Sequence, residues 1–299
     1  MAEDLPHARE RESDLIPDQA LAHVPGWAGR GSEVSLARLK GGGVNSSWLV
    51  ETRAGRFVVR LHSPMAGLLG VDHEREARLH AAAAAAGLAP RLVHVDPQHR
   101  FLITEHVDGP SWQPEDFGRE DRLRDLAARL RLLHELPAPA VAPFDLPALL
   151  ERHAERLRQA CPQDRVLLDR LMDRAGHAAR ECRSDLREQA IVHNDLYHAN
   201  VVGTGPALRL LDWEYAAVAD PLFDLACILA YYPQAAPHAA ALLEAAGLAE
   251  RADLDMLARA SWLFVLASYF WERLRRLAEP AGPREPDVGH ALLRRLQEP

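Results

Sequence analysis

The apolar pattern of this chain changes period once, near residues 105–112, and that change limits the fold more than any other feature. Before it, short runs rich in β-branched and aromatic residues read as strands: Glu33 to Leu39, Trp48 to Glu51, Phe57 to Leu61, Arg91 to Val95 and Phe101 to Glu105. A single long helix is predicted among them, Asp72 to Ala86, with Gly87 beyond its end as a stop signal. A short helix over Asp18 to His23 precedes the strands. After Gly109-Pro110 helical spacing dominates: Arg122 to Leu136, Leu146 to Gln159, Arg165 to Cys182, Leu222 to Tyr231, Ala239 to Ala246, Ala252 to Leu277 and Val288 to Leu296. The expectation is an α+β protein with two lobes. Residues 1–107 form a small antiparallel-sheet lobe and 108–299 a mainly helical one, with a hinge around Glu105 to Trp112.

The second half is interrupted at one place by strand-like residues, and the chemistry gathers there. Ala190-Ile191-Val192 reads as a strand entering a loop, His193-Asn194-Asp195-Leu196-Tyr197-His198-Ala199-Asn200, and Val201-Val202 as one leaving it. Leu208 to Leu211 would be the hairpin partner across Gly203-Thr204-Gly205-Pro206, followed by Asp212-Trp213-Glu214. Asp195, Asn200 and Asp212 form the residue set that phosphoryl transfer needs. One carboxylate accepts a hydroxyl proton, while an amide oxygen and a second carboxylate hold Mg²⁺ on nucleotide phosphates. A lone His-x-Asp in a loop is more often a capped turn; the full set is more specific.

Composition removes several classes. At 299 residues, with 48% hydrophobic and 26% charged side chains, the chain has ample material for a folded core. A net charge of −8 argues against a general nucleic-acid binder, whose affinity rests on a basic face. Cys161, Cys182 and Cys227 are scattered without zinc spacing, so a reducing compartment is the default. The longest strongly apolar stretch, Trp262 to Trp271, is too short for a bilayer, and residues 1–11 lack an apolar signal core. A cytoplasmic protein with no membrane and no nucleic-acid partner is expected.

The wording His-x-Asp-x-x-x-x-Asn, then Asp212-Trp213-Glu214-Tyr215-Ala216, then Asp220-Pro221-Leu222-Phe223-Asp224-Leu225-Ala226 resembles one family. It is that of the small-molecule kinases of the choline/ethanolamine kinase and aminoglycoside phosphotransferase superfamily, which includes bacterial thiamine kinases. The Asp-Trp-Glu-Tyr-Ala segment leans towards the choline and thiamine branch. The resemblance implies a protein-kinase-like fold and the transfer of the γ-phosphoryl group of ATP, with Mg²⁺, to a small-molecule hydroxyl. It implies Asp195 as catalytic base, Asn200 and Asp212 as metal ligands, and Glu214 at the acceptor or a second metal. Asp224 reads as a buried structural carboxylate that ties the loop from a helix start.

On the nucleotide side, Gly41, Gly42 and Gly43 with Asn45 and Ser46 resemble the family's phosphate-binding loop, where glycines let backbone N–H groups approach phosphates. Arg60 stands where protein kinases carry a lysine, as in choline-kinase-like proteins. Its guanidinium can grip phosphate oxygens with two bonds, although a solvent-facing edge arginine is equally compatible with this strand alone. Glu76 is the expected partner on the helix, and the backbone near Glu105, His106 and Val107 would bind adenine. For the acceptor, Trp271 beside Glu272 is the chosen aromatic contact for a cation. Trp213, Tyr231, Tyr232, Trp262, Tyr269 and Phe270 read more readily as core. No second tryptophan follows Trp271 closely, which leaves thiamine, ethanolamine or another amino alcohol open beside choline. An aminoglycoside acceptor stays as an alternative. So do a metal hydrolase built on His193, Asp195 and His198, and a silent nucleotide-binding module.

Overall fold

The computed structural model describes residues 16–29, 34–39, 45–182, 189–278 and 288–297. The glycine run at 41–43 therefore lies outside the described residues. The chain divides into two compact units, one holding Met1–Ser63 and Leu92–His106, the other Pro64–Arg91 and Val107–Pro299.

In the first unit, β1 (Ser35–Arg38), β2 (Ser46–Thr52), β3 (Gly55–Leu61), β4 (Leu92–Val95) and β5 (Phe101–Glu105) form one antiparallel sheet in the order β1-β2-β3-β5-β4. Alternation along β3 puts Phe57 and Val59 into a core with Val50, Phe101 and Ile103. The short helix α1 (Asp18–Leu21) and its flanks close that core with Ile16, Ala20, Leu21 and Val24. The β2–β3 turn is fixed by Thr52, whose hydroxyl accepts from Ala54 N–H at 3.1 Å and donates to Pro25 O at 2.8 Å. Gly55, at φ +137°, supplies the backbone conformation that a side chain would resist. At the β4–β5 turn the Asp96 carboxylate receives the Arg100 guanidinium through two bonds of 2.8 Å and the Arg100 N–H at 3.0 Å. These bonds outweigh the cost of burial and hold its pKa well below the ordinary carboxylate value.

The second unit contains α2 (His73–Ala85), α3 (Glu120–His134), α4 (Leu146–Ala160), α5 (Arg165–Cys182), α6 (Leu222–Tyr231), α7 (Ala239–Ala245), α8 (Leu254–Ala278) and α9 (Val288–Gln297). The predicted long helix groups here and not with the sheet that surrounds it in sequence. Its start is capped by Asp72, which accepts the N–H groups of Glu74 and Arg75 at 3.1 Å. Arg75 then donates to Ala216 O at 3.0 Å, and Leu88 O beyond the helix end accepts from Leu210 N–H at 2.8 Å. α8 is the organising helix, packed on α4, α5, α6 and α9. Among the described residues no helix is long and apolar enough to cross a membrane.

Four short strands lie within this helical surround. β6 (Ala190–Val192) pairs antiparallel with β9 (Ala217–Ala219), and β7 (Val201–Val202) with β8 (Arg209–Leu210). They are too short to be stable alone; packing around them holds them, since Ile191, Val192, Val201, Leu210 and Ala217 have no measurable exposure. Together they present the two loops that carry Asp195 and Asp212.

Candidate active site

The loop after β6 starts from a tight backbone anchor. Asp224, in the first turn of α6 and fully buried, accepts the N–H of Asn194 at 2.8 Å and that of His193 at 2.9 Å through Oδ1. Its Oδ2 accepts from His134 Nε2 at 2.9 Å, which ties α3 to the same point. Asn194 sits at φ +62°, and Asp212 at φ +59°. Left-handed backbone is uncommon outside glycine, and short Asn and Asp side chains tolerate it best. Two such residues mark the two loops.

His193 joins these loops. Its ring is fully buried, with Nε2 2.8 Å from Leu211 O and Nδ1 3.3 Å from Asp195 N. The carbonyl can only accept and the amide can only donate, so Nε2 carries the proton and Nδ1 the lone pair. Burial lowers its pKa to about 4, which keeps this neutral tautomer. The ring also packs edge-on against Trp213, 4.8 Å between centroids. Asn200 O accepts from Leu211 N–H at 2.8 Å, so Asn200 and the residue before Asp212 are bonded through their main chains.

Asp195 is half-buried, with both carboxylate oxygens engaged. Asn200 Nδ2 donates to Oδ2 at 2.8 Å and to the Asp195 carbonyl at 3.0 Å. Tyr231, the last residue of α6, donates its hydroxyl to Oδ1 at 2.9 Å. Burial raises the Tyr231 pKa well above the ordinary phenol value, and the negative charge of Asp195 adds to it, so the phenol stays a donor. With its nitrogen turned to Asp195, the Asn200 amide has only its oxygen for a cation. An amide oxygen with the Asp212 carboxylate is a hard-oxygen donor set, the kind Mg²⁺ takes. The residues fit that ion.

Hydrogen bonds join Asp195 to Asn200 directly, and His193 and Asn200 to Leu211, the residue before Asp212. Glu214 follows Asp212 by two residues and is 6% exposed. Next to it Tyr215 accepts the indole N–H of Trp271 at 2.7 Å, so the Trp271 side chain reaches this turn from α8. Tyr215 has its pKa raised by burial first, then by the charges of Glu214 and Asp195. The Arg275 guanidinium lies 5.8 Å from the Trp271 ring centroid, and Glu272 is taken up by Arg275 and Arg276.

Each remaining expected residue has its own local setting. Arg60 is 7% exposed on β3, the central strand of its sheet, which overturns the solvent-edge alternative. Asn45 turns its Oδ1 to the Ser63 N–H at 3.0 Å, and Ser46 receives Arg38 at 3.3 Å. Glu105 ends β5, and Val107 follows one residue after His106, whose N–H is bonded to Arg56 O at 3.0 Å. Glu76 is fully buried near the start of α2, its Oε2 3.0 Å from His73 Nδ1. The hydrolase reading fails on His193: one ring nitrogen holds a proton bonded to a carbonyl and the other accepts an amide, so neither can take a metal. Of the aromatic residues, Trp213 and Phe270 have no exposure and Tyr269 has 2%, so they are core. The roles of Cys227 and Tyr231 in the loop were not foreseen; their only sequence signal is spacing from Asp224 at i, i+3 and i+7.

Residues 35–262 match the family described as "Phosphotransferase enzyme family". Among solved structures, a choline/ethanolamine kinase family protein from Mesorhizobium loti superposes with a TM-score of 0.74 at 24% identity, covering 94% of this chain and 93% of that one. A choline kinase from Streptococcus pneumoniae gives 0.73 at 16% identity, over 89% and 93% of the two chains. A spectinomycin phosphotransferase in complex with ADP and spectinomycin gives 0.55 at 13% identity, over 89% of each. These likenesses establish the shared α+β fold. No curated protein matches the sequence.

Proposed function

The chain belongs to the phosphotransferase enzyme family, and on that premise we propose that it transfers the γ-phosphoryl group of ATP to a hydroxyl of a small cationic metabolite of the choline, ethanolamine or thiamine kind. One observation carries this reading: a half-buried carboxylate, Asp195, held by an amide and a phenol on a loop bonded to Leu211, the residue before Asp212.

Asp195 accepts the proton of the acceptor hydroxyl as its oxygen bonds to the γ-phosphorus. The bond from that phosphorus to the bridging oxygen breaks, and ADP leaves with the electron pair. Asn200 and Asp212 would hold Mg²⁺, which when bound supplies positive charge to the phosphate oxygens. The neutral His193 keeps the two loops in register without adding a competing positive charge. Glu214 and Trp271 are our choice for the acceptor: a carboxylate and an aromatic face suit a cation. Arg60, Glu76, Asn45, Ser46, Glu105, Val107 and the loop at Gly41, Gly42 and Gly43 are carried as nucleotide residues. An enzyme that uses ATP works where ATP is held, so a cytoplasmic setting belongs to the same proposal.

The test is an ADP-release screen with the purified protein against choline, ethanolamine, thiamine, spectinomycin and aminoglycosides, with neutral sugars as controls. Turnover with one of the first three is expected. Turnover only with the antibiotics would move the protein to that branch, and release driven only by neutral acceptors would reject the cationic assignment.

A further inference from the structure

α6 is bonded to the catalytic loop at three successive levels along one stripe. Asp224 accepts the N–H groups of His193 and Asn194. One turn later Cys227 Sγ receives Leu196 N–H at 3.4 Å and lies 3.5 Å from Asn194 O. A further turn on, Tyr231 reaches the Asp195 carboxylate itself at 2.9 Å. The intervals of three and four residues put all three side chains on one helix face. The first two levels fix the loop backbone. Only the third touches the carboxylate.

A carboxylate on a short side chain turns readily, because its terminal torsion is broad. One hydrogen bond leaves that rotation partly open; two bonds, one on each oxygen, close it. Asn200 supplies the bond on Oδ2 and Tyr231 the bond on Oδ1, from positions 5 and 36 residues further along the chain. The Tyr231 ring is itself held, edge-on to both Tyr197 and Tyr232 with centroids 6.2 Å apart. We propose that Tyr231 is a positioning residue for phosphoryl transfer, fixing the rotation of the Asp195 carboxylate so that its remaining lone pairs meet the acceptor hydroxyl. This rests on the assignment of Asp195 as base.

The test is Tyr231→Phe, which keeps the ring and its packing and deletes one hydroxyl. Steady-state kinetics are measured beside wild type, Asp195→Asn and the double variant. The expected result is a fall in kcat of about 10- to 100-fold, the range for losing a hydrogen bond to a charged group. KM for ATP is expected to hold within about twofold, as for a group that acts on the transition state alone. A loss of kcat with the KM for ATP kept is a split that a purely structural defect would not produce. The double variant should be no slower than Asp195→Asn alone, because Tyr231 acts through that carboxylate. Wild-type kcat in Tyr231→Phe, with Asp195→Asn inactive, would overturn this inference and leave the base assignment standing. Full activity in Asp195→Asn would overturn both.

Discussion

The carboxylate of Asp224 accepts the main-chain N–H of Asn194 at 2.8 Å while Asn194 holds a φ of +62°. A buried acceptor thus stabilises a backbone turn that most residues resist, at the residue immediately before Asp195. The arrangement separates what holds the loop from what does the chemistry. Asp224→Ala would leave the buried N–H groups of His193 and Asn194 without an acceptor, at a cost of about 1–3 kcal/mol each. A melting temperature lowered by several degrees and a collapse in turnover are expected together, read by calorimetry and ADP release. Asn194→Gly should keep turnover within about threefold, since glycine adopts this φ without strain; Asn194→Val should not.

The Asn200 and Asp212 pair predicts a metal requirement with a fold that does not depend on it. Chelation should stop ADP release, and added Mg²⁺ should restore it. Asp212→Asn should lower kcat by about 100-fold or more, the scale of lost charge stabilisation at a transferring group. Its melting temperature should stay close to wild type. Chelator-resistant turnover would remove the metal from the account.

Acceptor recognition is tested at Trp271. Trp271→Phe keeps an aromatic face but loses the indole N–H bonded to Tyr215 at 2.7 Å. An acceptor KM raised about fivefold is expected, the worth of one neutral hydrogen bond, with the KM for ATP unchanged. An equal rise in both would point to a general disturbance of α8.

Acid sensitivity follows from two buried histidines. Burial lowers His193 and His153 from 6.5 to about 4, with Arg156 and Arg152 contributing at His153. The unfolded chain therefore binds more protons than the folded one between those values. The stability each neutral ring contributes is whole above about pH 6.5 and is lost as pH falls towards 4. Both ring nitrogens of His153 are buried without a hydrogen-bond partner among the described residues. His153→Leu should raise the urea midpoint at pH 5 and flatten its dependence between pH 7.5 and 5, by about one group's linkage slope. An unchanged slope would contradict the assignment.

Much of this fold was legible before any coordinates, because its helices carry strong periodicity and its sheet strands are bounded by turn residues. The hairpin of β7 and β8 and the separation of Asp195 from Asn200 were equally plain. β9 was not: Ala217-Val218-Ala219 has almost no alternation, and only pairing with β6 makes it a strand. The burial of Arg60 was hidden too, since strand order decides that β3 is central and order is a long-range property. Asp224 could be read as a buried anchor from its place at a helix start. Tyr231 could not, because its contact spans 36 residues and exists only once α6 docks along the loop. Trp213 shows the converse, an aromatic beside the chemistry whose indole N–H is spent on Leu210 O at 2.9 Å inside the core.

The base assignment is tested most directly by single-turnover transfer from γ-labelled ATP to the best acceptor, comparing wild type with Asp195→Asn. A rate lowered about 100- to 10,000-fold, the usual worth of a positioned base, with nucleotide affinity retained, is the expected result. Transfer at the wild-type rate by a folded Asp195→Asn enzyme would contradict it.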